Sequence, residues 1–235
     1  VTADDDGDAG GAGGALTLVD GTVINAGSGR ITLEADEDIL LGRLVTANPG
    51  TSPAAVTLTS TSGGVVDNGD TAGEDVSANS GRLVVDAVTG VGSDGTGGGA
   101  DADIETAAAS LDIDNSTSGV IAVDETDAVT VVKAVQGAAD LAISVIADGG
   151  ITVDNAGAGD AVIASGTGSI ELFAETAGSS LQVNDGIASG SGAIDLDAED
   201  DISFQADGDI TSVSGNVMVT ADDDGDAGGA GGALT

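Results

Sequence analysis

The chain has 235 residues, 41 acidic and 4 basic side chains, a formal net charge of −37, 40 glycines, and no Cys, His, Trp or Tyr. Zinc sites of the usual kind need Cys or His, Ser-His-Asp and Cys-His catalytic units need His, and disulfides need Cys, so all three are excluded. Phosphate must be met by Lys and Arg; with only Arg30, Arg43, Arg82 and Lys133 available, composition argues against nucleic acid as a partner.

High acidity with few aromatics often signals disorder. Here the apolar fraction is 40% and the mean hydropathy is +0.22, so material for a core is present. It consists of Val, Ile, Leu and Ala, which suit a narrow interior repeated many times, and Val and Ile favour strands. No stretch approaches the roughly 18 consecutive apolar residues of a membrane span. The chain opens Val-Thr-Ala-Asp-Asp-Asp, with neither a starting Met nor a signal-peptide pattern. It reads as an excerpt from a longer chain or as a processed one.

Short apolar alternations, the signature of strands, recur along the chain. They begin at Ile31, Val56, Leu83, Leu111, Leu141, Ile170, Ile194 and Val217. The cleanest block runs from Ile194 to Gly215. Ile194 and Leu196 point inward while Asp195 and Asp197 point outward; Ile202 and Phe204 repeat the pattern, and Ile210 opens a third strand. The blocks from Ile31 and Ile170 follow the same three-strand plan. Residues 60–140 fit less well and carry the Gly-rich run Gly90 to Ala102. That run, like Gly7 to Gly14, is read as a corner loop, because strand signals resume on both sides.

A longer period overlies the short one. Residues 219–235 repeat residues 1–17, VTADDDGDAGGAGGALT, without a change, at an offset of 218. Eight short blocks fill that offset. The prediction is an all-β chain: a three-sided, right-handed parallel β-helix, the hand following from parallel crossovers. It has about eight coils per 218-residue repeat. Residues 1–218 form one full repeat and 219–235 the start of the next. The predicted interior includes Ile31, Leu33, Leu141, Ile143, Leu196, Ile202, Phe204, Ile210, Val217 and Val219.

The segments GRITLEADEDILL (29–41), GSIELFAETAGSSLQV (168–183) and GAIDLDAEDDISFQADGDITSVSGNVMVTA (192–221) resemble the repeats of filamentous haemagglutinin-like adhesins, which show runs of the type G-x-I-x-L-x-A-x-x-D-I-x-L. The resemblance implies a long right-handed β-helix, secreted and displayed on the cell surface. It carries over no functional residue, since the matching positions are those of the fold. Variable coil length and extreme acidity depart from the family pattern.

The turn after the first strand carries acids in four successive coils: Glu175; Glu199 to Asp201; Asp222 to Asp224, the copies of Asp4 to Asp6; and Asp36 to Asp38. Stacked in register, these form a column. Like charges about 4.8 Å apart repel by roughly 0.9 kcal/mol even in water, and hard cations such as Ca²⁺ take carboxylate oxygens. Asp4, Asp5, Asp6, Asp8, Asp36 and Asp38 are therefore the candidate Ca²⁺ ligands. A solvated turn explains the same residues, as does adaptation to a saline habitat. The sequence matches neither an EF-hand loop nor a calcium β-roll. Asn115-Ser116-Thr117 is a glycosylation sequon.

The expected role is a structural segment of an extracellular or cell-surface fibre, such as an adhesin stalk, without catalysis. Its partners would be identical repeats end to end, with the surface receptor or polysaccharide unidentified. Two alternatives stand beside it. One is a polysaccharide-acting β-helix enzyme using paired carboxylates, weakened by the scarcity of aromatic platforms. The other is end-to-end stacking of separate subunits through free strand edges.

Overall fold

The computed structural model describes residues 1–3, 14–69, 73–92, 103–155, 157, 159–222 and 232–235. The Gly7–Gly14 and Gly90–Ala102 corner loops lie almost wholly outside these residues. Among the described residues there is no helix, and every pairing between strands is parallel. The chain winds as a β-solenoid in which each strand pairs with its equivalents one coil above and below.

In the lower half each coil has two short sides and one long one. Leu16–Thr17, Ile39–Leu41 and Val65–Asp67 stack on the first side. Val23–Asn25, Arg43–Val45 and the start of Val76–Ala87 stack on the second. Ile31–Ala35, Val56–Ser60 and residues 83–86 form the third. Its burial alternates strictly in Ile31–Ala35, with Ile31, Leu33 and Ala35 inside and Thr32 and Glu34 outside. In the upper half the long side is Ile121–Glu125, Ile143–Ala147, Ile170–Ala174, Ile194–Ala198 and Val217–Ala221. Two short sides follow it. One is Ile151–Val153, Leu181–Val183 and Ile202–Phe204; the other is Val162–Ala164, Ile187–Ser189 and Ile210–Ser212.

The halves meet at the twelve-residue strand Ile104–Asn115. Its first residues pair with residues 123–125, while its later ones pair with Val129–Gln136. Val129–Gln136 then splits, giving residues 129–131 to one upper short side and 134–136 to the other. The first lower side reaches Ile121 through Val91. Thus the two lower short sides merge into the upper long side, and the lower long side divides into the two upper short ones.

This junction corrects the single column expected from spacing. Ile31, Val56, Leu83 and Leu111 do stack, but their next neighbour is Val131. Ile170, Ile194 and Val217 stack instead above Ile143 and Ile121. Leu141 lies just before its strand and is only half-buried. The thirty-residue step from Leu111 to Leu141 joined two different columns.

One continuous aliphatic core fills the axis, from Leu16 to Ile202. Burying each Leu, Ile or Val contributes roughly 1.5–3 kcal/mol, and every coil adds several. Phe204, Ile210 and Val219 only partly join it, and Val217 is exposed, because they lie in the last coils of the stack.

Candidate functional site

Of the six candidate Ca²⁺ ligands, Asp4, Asp5, Asp6 and Asp8 lie outside the described residues. Asp36 and Asp38 sit in the turn after Ile31–Ala35. Thr61 Oγ1 donates to Asp36 Oδ1 at 2.7 Å, and the Gly64 amide donates to Asp38 Oδ1 at 2.8 Å. Both carboxylates therefore tie their turn to the coil above.

The acidic column is formed as stacked rungs. Ala147, Ala174, Ala198 and Ala221 are cross-strand neighbours on the upper long side. The residues that follow them are Asp148, Glu175, Glu199 and Asp222. Burial raises the Glu175 carboxyl above its usual range, helped by a hydrogen bond and charge from Asp148 and by the charges of Asp124 and Glu199. Glu175, Glu199 and Asp222 were legible in the sequence; Asp148 was not, because its coil was read out of phase. Asp36 follows the lower long side, one residue after Ala35, which stands above Ala3, the copy of Ala221.

A second acidic feature escaped the sequence reading. Asp67, Asp75 and Glu105 place carboxylate oxygens within 4.8 Å of one another. Asp67 ends one strand, Asp75 precedes the next and Glu105 lies in the strand one coil higher. Asp75 is fully buried and the other two are half-buried. The Gly69 amide donates to Asp67 Oδ1 at 2.7 Å, and the Leu44 amide to the Asp75 carbonyl at 2.7 Å. Oxygen ligands of this kind could hold a hard cation. No spacing motif announces them, because coil stacking brings them together.

Glu125 is a buried acid with a strongly raised carboxyl pKa. It is fully buried at the junction. Thr106 Oγ1 donates to its Oε2 at 2.6 Å, and the Ala108 amide donates to both carboxylate oxygens at 3.0 and 3.1 Å. The Asp127 amide donates to Oε1 at 3.3 Å. Burial pushes its pKa up from the usual 4.5 to about 7, against the lowering effect of these bonds. Ile104–Asn115 changes partner just beyond Thr106, and Glu125 supplies an acceptor for the amide at that step.

Three of the four basic side chains are bound to neighbouring acids. Arg43 meets Glu74 at 3.3 Å, Arg82 meets Asp112 at 3.8 Å, and Lys133 meets Asp114. Asp86 stands beside Asp114 in the ladder, and its carboxyl is raised by burial and then by the charge of Asp114. Comparison with protein-family models, with curated proteins and with solved structures finds no match. The chemistry of these sites is that of acceptor oxygens held on stacked parallel strands.

Proposed function

We propose that the chain is a structural segment of a long extracellular or cell-surface fibre and performs no catalysis. The observation that carries this reading is the identity of the two ends. The strand Thr2–Ala3 pairs beneath Glu34 and Ala35, and the same residues recur as Thr220 and Ala221 on the outermost strand of the last coil. A stack that ends on the sequence with which it began is suited to continue. Each added copy lengthens the axial core without adding new chemistry. The likeness of residues 29–41, 168–183 and 192–221 to filamentous haemagglutinin-like adhesin repeats supports display outside the cell. The acidic exterior would keep neighbouring fibres apart.

The mass of the native polypeptide under denaturing conditions tests the reading. A chain many times heavier than the 22.1 kDa of these 235 residues is expected. A native polypeptide close to that mass would replace the covalent fibre by stacking of separate subunits.

A further inference from the structure

The exposed large apolar side chains cluster at the two ends of the stack. Val213, Val217, Met218 and Leu234 lie at the upper end, and Val1, Val19 and Val23 at the lower. Among the described residues only Val66 is exposed elsewhere. We propose that the upper end is a docking face for the next identical copy of the repeat, and that each copy is turned by about half a turn relative to the one below.

The docking register is already drawn within the chain. Thr2 lies beside Glu34 and Ala3 beside Ala35, and Thr220 and Ala221 are their copies. In that register the incoming Ile31, Leu33 and Ala35 settle over Val217, Val219 and Ala221. Apolar inward positions meet apolar ones along the whole strand. On the outward face, Thr220 separates the incoming Glu34 from Asp197 beneath it, so no two acids become direct neighbours there. The register thus selects a second copy of this sequence over a generic apolar partner.

The half turn follows from counting coils. From Leu16 the column rises through Ile39, Val65, Val91, Ile121, Ile143, Ile170, Ile194 and Val217 in eight steps. Leu234, the copy of Leu16, does not stand over Val217. It lies one long side further round, above Ile202. The 218-residue repeat therefore makes eight turns and the long side of a ninth. That side spans both short sides of the lower half, which is about half of the circumference. The face bearing the long strands in the lower half of one copy would thus lie on the opposite side in the next. Two copies, not one, would make the structural period.

This inference rests on the fibre reading, and one experiment separates the two. Cryo-electron microscopy of the native chain with its consecutive copies, reconstructed with helical symmetry, should give a rise of about 40 Å per copy. The rotation per copy should lie nearer to half a turn than to none. The same rise with copies related by no rotation would overturn the half turn and leave the fibre standing. Separate beads without continuous density between copies would overturn the fibre itself, and the docking face with it.

Discussion

At the residue scale, the glycines of the G-x-I pattern explain themselves once the coils are stacked. Gly168, Gly192 and Gly215 each stand two residues before the inward residue that opens a long strand. A Cβ on Gly192 would collide with the Gly168 carbonyl oxygen, and one on Gly215 with the Gly192 carbonyl. The obstacle is backbone in both cases, so no side chain can swing away. The Ser189 and Ser212 hydroxyls both donate to the Gly192 carbonyl, at 2.7 and 3.1 Å, which pins the same corner. Gly192→Ala should therefore cost about 2 kcal/mol or more, as overpacking does, read as a lower urea midpoint with an unchanged slope. Glu125 gives a second prediction. Its folded pKa of about 7 lies above the ordinary 4.5. Between those values the folded chain binds more protons than the unfolded one, so stability falls as pH rises through that window. The loss is complete above pH 7 and amounts to about 3 kcal/mol. Glu125→Gln, which keeps the shape without the charge, should flatten that part of the stability profile. Parallel pH profiles for the two proteins would place the slope elsewhere.

At the scale of elements, alternation alone was enough to find the long strands of the regular coils. Ile31–Ala35, Ile170–Ala174 and Ile194–Ala198 are five residues long with small aliphatics inside, and period-two patterning identifies such strands wherever one face is dry. The junction was illegible for a physical reason. Ile104–Asn115 and Val129–Gln136 run through corners that elsewhere interrupt the strand, so their alternation has no break to mark a side. A spacing rule then counts coils correctly while assigning Leu111 and Leu141 to one column. The carboxylate cluster of Asp67, Asp75 and Glu105 was hidden for the same reason, since it exists only in the pairing. Position within the stack also sets the cost of a charge. Leu196 is fully buried between Leu172 and Val219. Leu196→Asp should cost several kcal/mol, because an unpaired charge would sit in a dry column. Val213, exposed just beyond Ile210–Ser212 in the last coil, should accept Asp within about 0.5 kcal/mol. Equal losses at the two sites in chemical denaturation would contradict the stacked interior.

At the scale of the whole molecule, the dominant quantity is charge. A net −37 is wound onto a scaffold whose rungs lie about 4.8 Å apart, well inside the Debye length of roughly 10 Å at 0.1 M salt. Acids therefore feel their neighbours in the coils above and below. Glu171 and Asp195 are direct cross-strand neighbours, as are Asp86 and Asp114, and only the second pair has a cation at hand, in Lys133 beside Asp114. Unfolding separates these charges, so repulsion subtracts from stability only while the coils are stacked. Raising NaCl from about 10 mM to about 500 mM shortens the Debye length from roughly 30 Å to a few ångströms and should raise the melting temperature by several degrees. Calcium should achieve the same rise at far lower ionic strength, because a divalent ion can sit between carboxylates of adjacent rungs. Magnesium, which holds its own water more tightly, should be less effective. A melting temperature indifferent to all three salts would mean that the rungs bear their charge without strain, and that the acidic edge serves only to keep fibres soluble.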